Sequence, residues 1–456
     1  MAKKKQIELT IEEKLQNALV PKEEQPYKIP SNWCWSYWKY CGKFIAGNGF
    51  KNIYQGFTQY DIPYYKVGSL KFCDEGNYLI DETNTINEEI RTKLKAVKIP
   101  VNSIIFAKIG EAIKLNRRCL NKIECCIDNN LMAFISEKYF YKYIFYWTKS
   151  LNFYELTNAT TVPALRKTDL ENIPIPLPPL NEQQRIVNRI ESLFAKLDRA
   201  KELIENTLAQ FEQNKMAILH KAFTGELTAK WRKENNIDLS SWQEKTVDEL
   251  CTSLKYGTSK KSNPEGSVVV LRMGNLQNGE IDWSNLMYTD DKDDIEKYLL
   301  KKGDVLFNRT NSPELVGKTS IYRGEYPAIY AGYLIKLDYG KDIIGEYLNY
   351  MMNSTKAKHY CYTVKTDGVS QSNINAKKIG AFEIPVPTIE EQQEIVNILD
   401  RLLAKYNKIK NLEQQLEKIE LLKKAILAKA FRGELGTNNP DEESAENLLK
   451  EILAEK

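Results

Sequence analysis

With 456 residues, the chain is longer than a sequence that ordinarily folds around one hydrophobic core, which indicates a protein of several domains. Its 65 Lys and Arg nearly balance its 61 Asp and Glu, and 42% of its residues are hydrophobic, which excludes a disordered or fibrous protein. The net charge of +4 permits nucleic-acid binding without requiring it, because only a local concentration of positive charge would indicate such a function.

The N-terminus has a short basic start, Lys3–Lys5, and then a polar stretch at Ile11–Val20 that is unlike the apolar segment of a signal peptide. Apolar runs of about 18 residues, which a membrane-spanning helix needs, are absent. We therefore expect a cytoplasmic protein that does not interact with membranes. The 8 cysteines form no CxxC pair and the chain has only 2 histidines, so we expect reduced thiols and no metal site.

The first predicted elements are an N-terminal helical segment over 1–26 and a mixed α+β body over 27–180. Stretches rich in Val, Ile, Phe and Tyr, bounded by polar turns, predict strands at Ile62–Tyr65, Ser103–Ala107 and Asn130–Ile135. A helix is predicted near Tyr143–Ser150. The aromatic residues of this body could stack on bases, but a hydrophobic core explains them better; they are Trp33, Trp35, Tyr37, Trp38 and Tyr40.

A central helix, the first spacer, is predicted within 181–235, after a proline-punctuated strand at Ile173–Leu180. Asn181 and Gln184 are spaced as a capping box, and Gly225 is placed to end the helix in a left-handed conformation. Apolar residues recur at steps of three and four, which favours a coiled-coil seam over a globular face; they are Ile186, Ile190, Leu193, Leu197, Ala200, Ile204, Leu208 and Phe211. A helix over 181–222 would be about 63 Å long.

The same order of elements is predicted again in the second half of the chain. A second body spans 236–387, with strands at Val268–Arg272, Asp304–Asn308 and Ala328–Leu337 and a helix near Tyr347–Ser354. After the strand Ile384–Pro387, a second spacer helix lies within 388–435, with a capping box at Thr388 and Glu391 and a terminal Gly433. Its seam contains Ile395, Leu399, Leu402, Tyr406, Ile409, Leu412, Leu416 and Ile419. The tail, 436–456, predicts a short amphipathic helix.

The recurrence extends to the residues themselves. EQQRIVN at Glu182–Asn188 returns as EQQEIVN at Glu391–Asn397, and KAFTGEL at Lys221–Leu227 returns as KAFRGEL at Lys429–Leu435. A long segment of the sequence is therefore duplicated in tandem, which predicts two similar bodies related by a pseudo-two-fold axis. The first helix leads from body one to body two, and the second begins at body two. We therefore expect the two seams to bury each other in an antiparallel pair with the bodies at opposite ends.

Motifs in this order resemble the specificity subunit of type I restriction-modification systems, and the resemblance covers nearly the whole chain. The residues that carry it are PLPPLNEQQRIV at Pro176–Val187, KAFTGELTAKWRKEN at Lys221–Asn235, EIPVPTIEEQQEIV at Glu383–Val396 and AFRGELGT at Ala430–Thr437. The resemblance implies an α+β fold in which two mixed α/β target-recognition domains are separated by two long helices paired as an antiparallel coiled coil.

The resemblance also implies a function. Each recognition domain would read one half of an asymmetric, bipartite double-stranded DNA target, and the helices would set the gap between the halves. Two methyltransferase (M) subunits and, through them, restriction (R) subunits would be the partners. The chain itself would carry no catalysis and no cofactor, with S-adenosylmethionine, ATP and Mg²⁺ bound by the partners. A helix of about 63 Å spans roughly 18 base pairs, an upper limit on the separation of the half-sites.

Motifs that would indicate catalysis are weak or absent. The NPPY-like tetrapeptide of adenine methyltransferases does not occur. Gly47-Asn48-Gly49 fits a turn better than a nucleotide loop, and Gly317-Lys318-Thr319 lacks the first glycine of a phosphate loop. The acidic run Asp290–Asp294 could suggest a nuclease, but such runs are usually solvated. A coiled-coil DNA-binding regulator or scaffold working without methyltransferases remains the alternative, and a self-contained methyltransferase-nuclease is disfavoured.

Candidate DNA contacts are polar and basic side chains that follow predicted strands or precede the last strand of each body. In the first body they are Lys66, Ser69, Lys71, Lys108, Arg117, Arg118, Thr160, Thr161, Arg166 and Lys167. Gly68 aligns with Gly274, and the corresponding candidates of the second body are Arg272, Asn275, Gln277, Asn308, Arg309, Asn311, Ser370, Gln371, Ser372, Asn373 and Lys377. On the helices, the candidates for methyltransferase docking are Gln183, Gln184, Gln392 and Gln393, although helix capping explains them nearly as well.

Overall fold

The structure, a computed structural model, describes residues 9–157, 162–404 and 410–455. The described chain forms two compact units, Met1–Glu202 with Gln415–Lys456, and Leu203–Gln414. In chain order the helices are α1 Ile11–Ala18, α2 Glu88–Leu94, α3 Tyr141–Lys149, α4 Lys167–Glu171, α5 Leu180–Phe223, α6 Ala229–Glu234, α7 Val247–Leu250, α8 Lys292–Tyr298, α9 Gly345–Met352, α10 Thr355–Val364, α11 Ala376–Gly380, α12 Ile389–Ala404, α13 Lys410–Phe431 and α14 Ala445–Ala454. Within the described residues, none of the helices combines the length and the apolar character that crossing a membrane requires.

The first unit contains a four-stranded antiparallel sheet, a three-stranded sheet and a strand pair. Its strands are β1 Cys34–Tyr37, β2 Gly42–Ala46, β3 Ile62–Tyr65, β4 Thr85–Ile86, β5 Ile104–Ala107, β6 Arg118–Leu120, β7 Cys126–Ile127, β8 Leu131–Ser136 and β9 Pro174–Leu177. The sheets have the orders β2-β8-β5-β6 and β4-β3-β7, and β1 pairs with β9. Among the strands named for the described part of this unit, every strand-to-strand pairing is antiparallel except that of β3 with β7.

The second unit repeats this arrangement and adds two small sheets. Its strands are β10 Gln243–Thr246, β11 Cys251–Tyr256, β12 Val268–Leu271, β13 Leu276–Gln277, β14 Glu280–Ile281, β15 Tyr288–Thr289, β16 Val305–Asn308, β17 Thr310–Asn311, β18 Thr319–Ile321, β19 Ala328–Tyr330, β20 Leu334–Tyr339, β21 Thr366–Asp367, β22 Ser372–Asn373 and β23 Glu383–Val386. The sheet β11-β20-β16-β18 corresponds to β2-β8-β5-β6, and β15-β12-β19, with its parallel pair, corresponds to β4-β3-β7. The predicted α+β tandem repeat is confirmed.

Predicted strand positions agree with the structure in most places. The exception is Ala328–Leu337, which is not one strand. Ala328–Tyr330 pairs in parallel with β12, whereas Leu334–Tyr339 crosses to the other sheet and pairs with β11 and β16. Both segments are buried and therefore apolar, so the sequence pattern does not reveal the break between them.

Aromatic residues fill the core of the first unit, as predicted. Trp38 is completely buried, and its ring packs edge-on against Phe44 and Trp147 at centroid distances of 4.7 and 5.0 Å. Trp33 and Trp35 are also buried. Burial of such large rings stabilises the unit strongly, and it removes these tryptophans from any stacking role on a base.

One cysteine pair differs from the sequence expectation. Cys73 and Cys119 form a disulfide, so the prediction that all thiols are reduced is wrong for these two residues. The fold causes the pairing, because it places the segment after β3 against β6. Among the described residues, the other cysteines form no disulfide; they are Cys34, Cys41, Cys125, Cys126, Cys251 and Cys361.

The spacer helices contact each other within each unit, and in the first unit they pair in the predicted antiparallel sense. In the first unit, Lys423 of α13 bonds to Asp198 of α5, and Lys201 lies 3.7 Å from Glu420. As the residue numbers increase along α5, the numbers of the residues opposite them on α13 decrease, so these two helices are antiparallel. In the second unit, Leu219 of α5 shares a buried cluster with Ile395 of α12.

Burial of the seam varies along the helices. Ile186 and Ile190 are buried, whereas Leu193, Leu197, Ala200, Ile204, Leu208 and Phe211 are half-buried. Of the second seam, Ile395, Leu399 and Ile419 are buried, while Leu402, Leu412 and Leu416 are half-buried. Tyr406 and Ile409 lie outside the described residues.

The ends of the spacer helices follow the predictions in part. Gly225 and Gly433 have φ of 81° and 74°, so both occupy the left-handed conformation predicted for a glycine stop. Thr388 caps α12 by accepting a bond from the Glu391 amide at 3.3 Å. Asn181, however, lies inside α5, which begins at Leu180, and Gln184 bonds forward to Asn188, so the capping box predicted there is wrong.

Glu391 forms a buried polar junction at the start of α12. Its carboxylate accepts hydrogen bonds from Thr228 and Arg232, both at 2.6 Å, and from the indole of Trp242 at 2.9 Å. The Glu391 side chain is fully buried and that of Arg232 is 8% exposed. Because neither charge reaches water, each one depends on the other for compensation.

The corresponding junction of the first unit is Glu182. It accepts bonds from Thr437 and Arg185, both at 2.7 Å, and Arg185 also pairs with Glu442 of the tail at 2.6 Å. Burial is the main reason that the pKa of Glu182 lies above its ordinary value. The tail continues into α14, whose Leu449 and Leu453 are buried beside α1. The predicted amphipathic tail helix is confirmed.

We predict that Glu391→Ala lowers the free energy of unfolding by about 3–5 kcal/mol, because it leaves the Arg232 guanidinium buried and unpaired. Denaturant titration of the full chain measures this effect. Gln393→Ala, at an exposed position of the same helix turn, is the matched control and should change stability by less than about 0.5 kcal/mol. Equal losses in the two variants would show that the junction is not a principal support of the fold.

Candidate nucleic-acid interface

Candidate residues of the second unit come together from separate segments of the chain. After β12, Arg272 precedes a 3₁₀ turn over Met273–Asn275. Asn308, at the end of β16, donates to the Met273 carbonyl at 3.5 Å. The next strand, β17, pairs with β22, so that Asn311 lies opposite Ser372.

Arg309 connects these segments. Its guanidinium donates to the Gly332 carbonyl and to Asn373 Oδ1, both at 3.3 Å, and lies 4.8 Å from the centre of the Tyr256 ring. Its amide donates to the carbonyl of Tyr333 at 3.0 Å. Tyr256 and Tyr333 were not predicted from the sequence, since nothing in the chain distinguishes them from the other tyrosines.

A cavity of about 530 Å³ opens beside the 3₁₀ turn. Arg272, Gln277, Asn285 and Tyr333 contribute to its lining. Arg272 donates to the Asn285 carbonyl at 2.7 Å, while its buried Nε has no protein partner. A concave surface with an incompletely satisfied guanidinium suits a ligand that offers hydrogen-bond acceptors.

The first unit builds the same arrangement from different residues. The Lys66 amide bonds to Ser69 Oγ at 3.0 Å, just as the Arg272 amide bonds to Asn275 Oδ1 at 2.9 Å. Lys66 and Arg272 therefore occupy equivalent positions, as the Gly68–Gly274 alignment predicts.

A second equivalence comes from the segment before the last strand. The Leu165 amide donates to the Lys108 carbonyl at 2.8 Å, and the Ile374 amide donates to the Arg309 carbonyl at 2.8 Å. Lys108 thus corresponds to Arg309. Both units place a basic residue where this segment joins the sheet.

Several candidates are buried and bonded inside the protein. Ser69 and Asn275 hold their own turns, Asn308 accepts from the Thr310 amide, and Ser372 bonds to Asp367. The Arg118 side chain donates to the carbonyls of Asn116 and Leu151 and covers the Phe153 ring at 3.8 Å. Burial lowers the pKa of Arg118 to about 9. These five side chains are committed to the fold and are not available at the surface.

The remaining candidates reach solvent. Exposed ones are Lys71, Arg117, Arg166, Lys167, Ser370, Gln371 and Lys377, and half-buried ones are Lys66, Lys108, Arg272, Gln277, Arg309, Asn311 and Asn373. Ser370 and Gln371 lie in the tight connection between β21 and β22, beside the fully exposed Val369. Thr160 and Thr161, from the corresponding part of the first body, lie outside the described residues.

The four glutamines that are candidates for methyltransferase docking also divide into buried and exposed residues. Gln183 is buried, accepting from the Phe140 amide and donating to the Pro178 carbonyl, both at 3.0 Å. Gln392 makes the equivalent bonds to Ile344 and Pro387, both at 2.9 Å. Both glutamines therefore attach a spacer helix to an α+β body. Gln184 and Gln393 are exposed.

The weak catalytic motifs have structural explanations. A Cβ at Gly47 would collide with the Asp128 carbonyl, and one at the corresponding Gly257 with the Tyr330 carbonyl, so both glycines permit close packing between backbones. Asp291 caps α8 and pairs with Lys260 at 2.7 Å. Thr319 lies in β18. The described residues contain no group of three His, Cys, Asp or Glu placed to hold a metal ion.

Comparison with known proteins identifies the family. The model of the type I restriction modification DNA specificity domain matches residues 52–210 and 240–421. The type I restriction enzyme EcoKI specificity subunit of Escherichia coli (strain K12) is 30% identical over 315 residues, covering 66% of this chain and 68% of that protein. The StySPI specificity subunit of Salmonella potsdam is 29% identical over 335 residues, covering 69% of this chain and 71% of that protein.

A solved structure supports the fold. It is described as the "structural basis underlying complex assembly and conformational transition of the type I R-M system", has a TM-score of 0.65 and 19% identity, and covers 90% of this chain and 100% of that one. Because the family model matches twice and spans most of the sequence, the chain belongs to the family of type I restriction-modification specificity subunits.

Proposed function

We propose that this chain selects the DNA target of a type I restriction-modification complex, with each recognition domain reading one half of an asymmetric bipartite site. The observation that carries the proposal is the equivalence of basic positions in loops that otherwise differ. Lys66 corresponds to Arg272, and Lys108 to Arg309, by matched backbone hydrogen bonds. Positive charges kept at the same places suit contacts with phosphates, which every DNA sequence offers.

The loop residues that differ between the two domains are the proposed source of specificity. In the second domain, Gln277, Gln371 and Asn373 carry amides that can bond to adenine in a bidentate manner, while Arg272 suits guanine. In the first domain, the described positions are mainly lysines and arginines. Different side chains at matched positions would read different bases, so the full target would be asymmetric.

The spacer helices are proposed to set the gap between the half-sites and to dock two methyltransferase subunits. The continuous α5 has 44 residues, about 66 Å of helix. Its exposed Gln184, and Gln393 on α12, remain candidates for docking, whereas Gln183 and Gln392 are occupied within the fold. Leu421 and Leu422 of α13, 62% and 49% exposed, are further candidates for contact with a partner.

Catalysis is assigned to the partners in this proposal. S-adenosylmethionine would be bound by the methyltransferase subunits, and ATP and Mg²⁺ by restriction subunits. The complex would act in the cytoplasm. The alternative, a DNA-binding regulator or scaffold without methyltransferases, is distinguished by whether a methyltransferase chain co-purifies with this protein.

We predict that replacing residues 27–180 with the first recognition domain of another specificity subunit changes one half of the methylated sequence. The other half and the gap should stay as they were, because the second recognition domain and both helices are unchanged. Sequencing of methylated adenines in cells that express the chimera with its partners reads all three features. A change in both halves would contradict modular reading.

A second prediction concerns the gap. Inserting seven residues after Ala200 in α5 and seven after Glu420 in α13 preserves the three-and-four rhythm of the paired helices and lengthens each by about 10 Å. The insertion points face each other, since Lys201 lies 3.7 Å from Glu420. The gap should grow by about three base pairs, with both half-sites unchanged.

The control for this experiment is the insertion in α5 alone. It displaces the α5 seam relative to α13, so we expect a less stable chain rather than a longer gap. If the paired insertion yields a folded, active complex whose gap is unchanged, the helices do not determine the spacing.

A further inference from the structure

A second cavity of the Leu203–Gln414 unit, of about 370 Å³, is not explained by base reading. Three lysines from separate elements line it, Lys215 of α5, Lys318 before β18 and Lys358 of α10. Glu212 and Glu314 also contribute to the lining, which leaves an excess of positive charge.

The three lysines form no ion pairs with the acids that line the cavity. Within the part of the chain that the structure describes, none of the three has an acidic oxygen within 4.0 Å. Burial lowers the pKa of Lys318. Burial is also the main reason that the pKa of Lys358 is lowered; the charges of Lys215 and Lys318 add to this effect, and that of Glu212 opposes it. Three lysines that outnumber the two acids beside them, and that form no ion pair with them, favour an anion.

A hydrogen bond links the lining of this cavity to that of the cavity beside Arg272. Lys318 Nζ donates to Gln277 Oε1 at 2.8 Å, and Gln277 also lines the 530 Å³ cavity beside Arg272. A DNA strand whose bases meet Gln277 would therefore bring its backbone close to Lys318.

The first unit has positive charge at the corresponding place. Phe106 pairs with Arg118 and Phe307 pairs with Thr319 in equivalent sheets, so the preceding residues, Arg117 and Lys318, correspond. Lys215 precedes KAFTGEL by the same interval that separates Lys423 from KAFRGEL. In the first unit, Arg118 and Lys423 are close enough to contribute to lowering the pKa of Lys149, after the larger effect of burial.

From the shared position and the unpaired charge, we propose that Lys215, Lys318 and Lys358 form a phosphate-binding site. The proposed source is the DNA backbone next to the half-site read by the second recognition domain, a role that rests on the proposed function. A free phosphate ion offers the same chemistry and is the other possible source.

The test uses the full chain assembled with its methyltransferase partners and a duplex carrying the target. Replacing either Lys318 or Lys358 with alanine should make the slope of log K for DNA association against log salt concentration less negative by about 0.9. Replacing both should change the slope by about 1.8. Affinity for target and for scrambled duplex should fall by the same factor, since phosphate contacts carry no sequence information. Lys341→Ala, an exposed lysine away from this cavity, is the control and should leave the slope unchanged.

A second measurement titrates inorganic phosphate into the full chain at constant ionic strength, followed by calorimetry. If the Lys318→Ala, Lys358→Ala double variant loses phosphate binding but leaves the salt dependence of DNA binding unchanged, the site binds a free ion. That result overturns the DNA backbone as the source of the phosphate. If the double variant alters neither the salt slope nor phosphate binding, the site itself is refuted. A wild-type complex that binds DNA without sequence preference would instead refute the proposed function, while the phosphate titration would still test the site.

Discussion

The buried glutamate at the start of each spacer helix is the interaction on which this structure depends. Glu391 accepts hydrogen bonds from Thr228, Arg232 and Trp242. Glu182 accepts hydrogen bonds from Arg185 and Thr437. Each junction thus joins the beginning of one helix to the segment that follows the end of another. Because a buried carboxylate is tolerated only with close partners, the junction fixes these segments in one arrangement.

The glutamine that follows each of these residues fixes the helix to the recognition domain. Gln183 and Gln392 bond to the amides of the residues just before α3 and α9 and to proline carbonyls ahead of their own helices. The repeated EQQ motif is therefore a structural element of the frame. A rigid frame of this kind allows recognition loops to change without loss of the fold, which is consistent with matched positions for Lys66 and Arg272 in otherwise different loops.

Sequence patterns predicted the large features well, because they depend on periodicity and on glycine. Heptad spacing predicted the long helices, and Gly225 and Gly433 predicted their ends. The same patterns could not predict which polar side chains turn inward. Ser69, Asn275, Asn308 and Ser372 resemble surface residues in the sequence. In the structure, Ser69 and Ser372 bond within local turns, whereas Asn275 and Asn308 bond to segments that only the folded chain brings near. Arg118 and the neighbouring Arg117 differ completely in exposure, and Lys318 gains its position from strand register. The α5 start at Leu180 and the Cys73–Cys119 disulfide also depend on tertiary contacts.

The central claim is that one chain with two differing recognition domains specifies one divided DNA target. Sequencing of methylated adenines in a cell that carries this chain with its methyltransferase partners tests it most directly. The account predicts methylation on both strands within a single asymmetric sequence, made of two short specified halves separated by a constant unspecified gap. Methylation confined to one continuous sequence, or a target with two identical halves, would contradict it.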